Sequence, residues 1–555
     1  MSFTAIFTAI ALLFGQMLAY FVPTAPTTGD ITTVSSEMYI EKKTCADCIY
    51  VVDGNSLTTD EHQVAICLQG LVNKAQPKLF IVSNDADASY VEMYKADGQT
   101  IITENSNGEK WTLGLLIDEF KEYITDGGYT LYKSNETGEG LNVACNYATA
   151  KGWLAVPVEL QEFAESCGLT MKLDISEDWY NYAFQKKHYN KLKDYFSNKA
   201  IVHVNGTVAG LRDLAIQQNF WITFTKAETS GELFLKNILN GMGTNIAVLG
   251  WGDTEIHFVR YLSKLGDYVI PMDHSRNNSY IANYDFGTLT QPKQTTDIVA
   301  NPEKHYMAIV FSDGDNSQWI QNGYSEYYEK LEQYDTFKMT WTFPLIQQEL
   351  SQVSIKKAYD CGNENNYFIG GVSGIGYINP SVFKGTQLDT FTTYTAAAAE
   401  RSDISVVTIL DAIDETIRIP TLEKTFAYYT RFDNIDGAIV MLDPNKYAAA
   451  GGKIWWRNDK PLISVRESLW ASNNESKEIP EGFIEEKLEI CNNYPADITS
   501  INGYSVINVH PWSISIANLQ KFVNGLDDHI ELVTVDELIK LINENVPHTD
   551  AEPND

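Results

Sequence analysis

Seven short apolar runs, at 306–311, 339–343, 367–371, 405–410, 438–442, 462–465 and 506–509, punctuate the second half of the chain, each bounded by polar or turn residues. Helix-like stretches such as 389–400 and 481–493 lie between them. Strand and helix repeated about seven times over roughly 250 residues is the length and rhythm of a (β/α) barrel or a distorted relative of one. An open doubly wound sheet shares that periodicity and differs only in closure. A barrel-like carboxyl-terminal domain is therefore expected over 300–545.

The first half alternates too. Apolar runs at 49–52, 78–83, 154–157, 200–204 and 246–251 predict strands, and 62–73, 113–123 and 255–265 predict helices. This is βαβ grammar, and it predicts an amino-terminal α/β region over 45–295. Residues 283–303 lose hydrophobic periodicity and read as a connector. The fold class expected is α/β throughout.

Charge narrows the partners. With 41 Lys and Arg against 73 Asp and Glu, the chain carries −32, the wrong sign for displacing phosphate counterions from nucleic acid or for seating on anionic lipid. Neutral or cationic partners are expected. Residues 3–22 form the one long apolar run, with no charge from Met1 to Gly29. It reads as a secretory signal peptide over 1–22, with an uncleaved anchor as the alternative. A secreted, extracellular protein without membrane attachment after cleavage is expected. Four Asn-x-Ser/Thr triplets, at Asn135, Asn205, Asn277 and Asn474, are compatible with that route and with a glycoprotein. Seven scattered cysteines are too few to build a scaffold. Cys45 and Cys48, in C-x-x-C spacing, read as a local disulfide or two ordinary thiols rather than half a zinc site.

In barrels the working residues lie just past the carboxyl ends of strands. Reading there gives an acidic set: Asp313 and Asp315 after 311, Asp411 and Asp414 after 410, Asp443 after 442, Glu467 after 465. Two carboxyls facing one cavity, one protonated and one ionised, are what acid/base cleavage of a glycosidic bond requires. Asp313, Asp315, Asp411, Asp414 and Glu467 are the catalytic candidates. The competing reading is that strand-end Asp residues cap the next helix. Candidate substrate contacts are Asn316, Trp341, Gly376, Tyr377, Arg466, His510 and Trp512, since sugar rings stack on indoles while polar groups fix their orientation.

No cofactor or metal is expected. The segment 313–316 lacks the later ligands of a calcium loop, and the glycine-rich stretch 370–380 contains G-x-G without the rest of a dinucleotide fingerprint. Two alternatives stay open: a metal-assisted carbohydrate hydrolase or deacetylase using Asp313, Asp315 and His510, and a non-catalytic glycan-binding protein. No two histidines lie four apart, so the usual His-x-x-x-His pair of barrel deacetylases is absent.

The segment Gly374-Ile375-Gly376-Tyr377-Ile378-Asn379-Pro380 closely resembles the signature of the GxGYxYP putative glycoside hydrolase family, departing at Asn379, where the motif has a second Tyr. The stretches 305–316, 341–344, 365–368 and 509–510 are similar to the same family, as are 68–73 with Pro77 in the first half. The resemblance spans about 45–545. It implies a secreted carbohydrate-active protein acting on an oligosaccharide or polysaccharide, and it carries over no catalytic residue.

Overall fold

The structure, a computed structural model, describes residues 24–292, 297–313, 316–322, 337–412, 419–471 and 479–553. The first half is three small parallel sheets, each covered by helices. The first holds β1 (Cys48–Asp53), β2 (Leu79–Val82) and β3 (Thr100–Ile102) in the order β2-β1-β3. The second holds β4 (Gly128–Tyr132), β5 (Leu154–Pro157) and β6 (Thr170–Asp174) in the order β5-β4-β6. The third holds β7 (Ala200–His203), β8 (Trp221–Thr223), β9 (Ala247–Gly250) and β10 (Tyr268–Ile270) in the order β10-β9-β7-β8. In each, the first strand lies between its next two, so the crossovers leave in opposite directions.

The helix Thr59–Ala75 joins these units. It is buried continuously from Gln63 to Asn73, and its Thr58/Glu61 capping box satisfies the first amides. Gly70 is required by close packing: a Cβ there would sit 2.8 Å from Ile216 Cβ and 2.9 Å from the Asp213 carbonyl. Gln69 and Asn73 donate amide hydrogens to the Leu79 carbonyl, at 3.0 and 2.9 Å. The 68–73 motif is thus architecture, holding β2 to the helix.

The second half is one ten-stranded sheet. Its strands are β11 (His305–Phe311), β12 (Met339–Phe343), β13 (Asn366–Val372), β14 (Val406–Ala412), β15 (Gly437–Asp443), β16 (Ile454–Arg457), β17 (Lys460–Ser464), β18 (Glu467–Leu469), β19 (Tyr504–Val509) and β20 (Ile530–Val533). The path runs β16-β17-β15-β14-β13-β12-β11-β19-β18, parallel apart from the β16–β17 hairpin. Its two ends meet in one stretch of chain. β17 pairs with β15 and β18 with β19, and the two residues between them bond to both sides: Val465 N–H donates to the Val440 carbonyl at 3.1 Å and Arg466 N–H to the Val506 carbonyl at 2.9 Å. The sheet therefore curls back on itself as a barrel-like wall, with β20 inserted beside the amino-terminal half of β11. The expected α/β class and barrel-like sheet are both present. One boundary needs correction: the run expected to end at Val465 continues through Leu469, because this segment changes partners instead of turning.

The third small sheet seats on the barrel. Val269 of β10 and Tyr377 exchange backbone hydrogen bonds at 2.8 and 3.4 Å. The Asn379 amide donates to Ser263 Oγ at 3.0 Å.

Asn277 corrects one reading of the triplets. It is buried, donates to the Ile81 carbonyl and Asp87, and accepts from the Ile81 amide and Gln69, leaving no room for a glycan in the folded chain. Asn474 and the run 1–22 lie outside the described residues. None of the seven cysteines is in a disulfide. Among the described residues no helix is long and apolar enough to cross a membrane.

Buried carboxyls give the fold a pH dependence. Glu349 accepts the Tyr39 and Ile40 amides at 2.7 Å each, yet burial pushes its pKa up to about 7. Asp267 is pushed up to about 7 by the same cause. A folded-state pKa above the unfolded value means that the folded chain holds the proton more tightly, so this stabilisation is complete below the unfolded values and is lost as pH rises through about 7. Replacing both carboxyls by neutral isosteres, Glu349→Gln with Asp267→Asn, should therefore raise the melting temperature over that of the native chain by more at about pH 8 than at about pH 5.5; a gap between the two proteins that does not widen with pH would contradict this assignment.

Candidate active site

A cleft of about 340 Å³ opens where the barrel mouth meets the third small sheet, a size that suits a ligand of one or two rings. Its floor comes from the barrel: Asp313 and Asn316 after β11, Trp470 after β18, His510 and Trp512 after β19. The opposing wall comes from the first half of the chain: Trp251 after β9 and Glu255 at the start of the helix Glu255–Leu265.

Asp313 is set by its neighbours. Ser312 donates through its amide and its hydroxyl to the Val509 carbonyl, at 3.0 and 3.1 Å, tying the end of β11 to β19. The chain then turns through a left-handed conformation at Asp313, φ 77°, uncommon for a residue with a Cβ. The Trp512 indole N–H donates to Asp313 Oδ2. Burial, with the nearby Glu255 charge adding to it, pushes the Asp313 carboxyl up to about 6, while the bonds from Trp512 and Asn316 pull the other way. Asn316 also accepts the Trp319 amide at 3.2 Å, capping the short helix that follows.

Glu255 stays open to solvent at the mouth, but the walls crowd its carboxyl. That crowding and the charge of Asp443, at the end of β15, raise its pKa, against a 3.4 Å hydrogen bond donated by the Tyr377 hydroxyl. Asp443 is itself raised by burial. Glu255 thus couples to Asp313 on the one hand and to Asp443 on the other. Aromatic faces frame them: Trp319 lies 4.3 Å from Trp512, and Trp251 stacks on Tyr377 at 6.4 Å between centroids. His510 lies flat on Trp470, 3.7 Å away and 2° from parallel, with Nδ1 3.2 Å from Ser513 Oγ. Burial pushes its pKa down to about 4, so its ring is neutral at neutral pH.

Of the residues singled out in the sequence, Asp313, Asn316, His510 and Trp512 line this cleft, and Tyr377 reaches it through Glu255. Asp315 and Asp414 lie outside the described residues. Four others face elsewhere. Asp411 is buried and accepts the Ser381 amide and hydroxyl at 2.7 and 3.0 Å, anchoring the turn that begins at Pro380. Glu467, the first residue of β18 rather than past a strand end, pairs with Lys487 at 2.9 Å on the helix Phe483–Asn492. Arg466 donates to the Asn502 and Tyr504 carbonyls and covers the Tyr494 ring at 4.1 Å. Trp341 is wholly buried against Phe311, so it is core rather than a stacking platform. Gly376 has no left-handed φ; it is needed because a Cβ would meet the Tyr268 ring at 2.4 Å. The positive φ angles of this loop fall at Ser373, 58°, and Gly374, 120°.

Glu255, Trp251, Tyr447 and Trp470 were not among the expected site residues. The signal for the first two was present: Trp251 ends the run 246–251 and Glu255 follows it, at a strand end in the first half, outside the barrel. Trp470 follows the true end of the strand misread at Val465.

Residues 303–543 match the GxGYxYP putative glycoside hydrolase C-terminal domain, and residues 198–283 match the GxGYxYP third domain. The two matched segments are those that meet at the cleft. A crystal structure of a putative hydrolase from Bacteroides thetaiotaomicron VPI-5482 superposes with a TM-score of 0.80 at 22% identity, covering 94% of this chain and 99% of that one; at that identity the likeness is one of fold. No curated protein matches the chain.

Proposed function

This chain belongs to the GxGYxYP putative glycoside hydrolase family, and from that premise we propose that the cleft hydrolyses a glycosidic bond of an oligosaccharide or polysaccharide, with Asp313 and Glu255 as the acid/base pair. The observation that carries this reading is the meeting of two charge-coupled carboxyls from separate segments in one aromatic-lined cleft.

Asp313 serves as proton donor. Its carboxyl, pushed up to about 6, keeps a protonated fraction near neutrality, and the Trp512 N–H holds Oδ2, leaving Oδ1 to carry the proton to the departing oxygen. Glu255 serves as the ionised partner: the Tyr377 hydroxyl favours its charged form, and it stabilises or attacks the positive charge that develops on the sugar. The indoles of Trp251, Trp470 and Trp512 supply faces for the rings.

A panel of 4-nitrophenyl glycosides tests the class. Turnover of at least one by the native chain is expected; a panel of neutral α- and β-glycosides and natural oligosaccharides with no turnover would overturn the reading. The acid role predicts a pH limb. An acid must be protonated to act, so kcat/KM should fall as pH rises through about 6. Trp512→Phe removes a bond that favours the charged carboxylate, so that limb should move to higher pH. A limb that stays in place would separate Asp313 from the proton donor.

Export belongs to the same proposal and rests on the apolar run 3–22. Amino-terminal sequencing of protein recovered from the medium should find the run removed.

A further inference from the structure

A cavity of about 450 Å³, larger than the carboxylate cleft, lies in the first small sheet, away from that cleft. Register explains why it exists. β1 pairs with β2 as far as Asp53 opposite Val82, but with β3 only as far as Tyr50 opposite Ile102. The last three residues of β1 therefore run on without a strand on that side. This is also where the crossovers from β1 part, the position at which open α/β sheets take ligands.

The lining has two kinds of surface. Val51, Leu57, Val82 and Leu113 make an apolar floor. Trp111 closes the back; its indole N–H is satisfied by the Ile102 carbonyl at 3.3 Å and its ring rests 5.7 Å from Tyr50, so it offers hydrocarbon to the cavity. Around the floor stand Asp53, Glu61, Thr103 and Lys110. Lys110 is exposed, and among the described residues its ammonium makes no ion pair.

The same residues argue against an anion. The helix Thr59–Ala75 begins at the cavity, where a nucleotide phosphate would seek free amides. Its capping box occupies that place: Thr58 Oγ1 accepts the Glu61 amide at 3.3 Å and Glu61 Oε2 accepts the Thr58 amide at 2.8 Å. Two carboxylates on the rim add repulsion.

We propose that this cavity is a second, non-catalytic carbohydrate site taking one or two neutral sugar residues. The apolar face of a pyranose lies on the aliphatic floor, its hydroxyls donating to Asp53 and Glu61 and accepting from Lys110 and Thr103. The site is independent of the hydrolase reading, since no residue is shared with the carboxylate cleft.

Saturation-transfer NMR on the full chain with maltose, cellobiose and lactose tests it. At least one disaccharide should bind, with affinity reduced roughly tenfold by Lys110→Ala and abolished by Leu57→Arg, which places a long charged group on the floor. Trp512→Ala, in the other cleft, should leave this binding in place. Lys110→Ala removes an exposed, unpaired side chain, so its result stands even if Leu57→Arg fails to fold. No binding of any of the three, loss of binding through Trp512→Ala alone, or retention in both cavity variants would overturn the proposal, as would binding of adenosine or inorganic phosphate in place of the sugars.

Discussion

Asp313→Asn should slow hydrolysis of a responsive glycoside by about 10² to 10⁴, and Glu255→Gln by a comparable factor, with little change in KM. Both replacements keep shape and some hydrogen bonding, so the Trp512 and Tyr377 contacts have partners left. The two losses should not multiply in the double variant, because the residues act on one transition state. The competing role of Asp313 is purely conformational, holding the left-handed turn after β11. That role predicts a melting temperature and an activity both near native, since Asn adopts left-handed backbone readily. Kinetics and a thermal melt on the same samples separate the two. Asp411→Asn is the matching control: its carboxyl is spent on Ser381, so it should cost stability and leave the pH limb unmoved.

Gly376→Val should lower kcat about 100-fold while leaving the secondary structure intact. The added Cβ would fall 2.4 Å from Tyr268 Cδ2. That ring cannot swing away: it is fully buried, packed against Phe391 at 5.2 Å, with its hydroxyl bonded to that of Tyr39. The Val269–Tyr377 bridge must give instead, and with it the Tyr377 hydroxyl on Glu255. Misplacement of a reacting group by about 1 Å is worth about 10² in rate, and overpacking costs about 1–3 kcal/mol. Gly241→Ala is the counterpart, because its Cβ would meet nothing nearer than the Tyr189 hydroxyl at 4.0 Å; inside a helix it should stabilise by about 0.5–1 kcal/mol. A Gly376→Val enzyme with native kcat and a lowered melting temperature would confine the motif to a structural role.

The barrel strands were legible because each is buried on both faces, so its run is continuous rather than alternating. Short or half-exposed strands carried no such mark: β6 has four of its five residues exposed, and β3 is three residues long. Asp313, His510 and Trp512 were found because the barrel rule looks past strand ends, where they are. Glu255 was not, because the cleft forms between halves of the chain and a rule about one sheet does not reach the wall supplied by another. Glu467 and Arg466 were misplaced for a related reason. A polar pair after an apolar run reads as a turn, whereas here the strand passes from one neighbour to another and those side chains face the helices outside.

The pairing of β11 bears on how the molecule comes into being. Its neighbours on β19 and β20 are made late: Ser312 bonds to a carbonyl 197 residues further on, and His305 aligns with Ile530. On a ribosome adding about 5 to 20 residues per second, β11 therefore waits on the order of ten seconds or more with one edge, and the amino-terminal half of the other, unpaired. Its sequence, HYMAIVF, is the kind of apolar, β-prone segment that invites pairing with another chain while it waits. Production of this protein should thus be limited by aggregation during synthesis rather than by stability once folded, and slower synthesis in the presence of holdase chaperones should raise the soluble yield without changing the melting temperature.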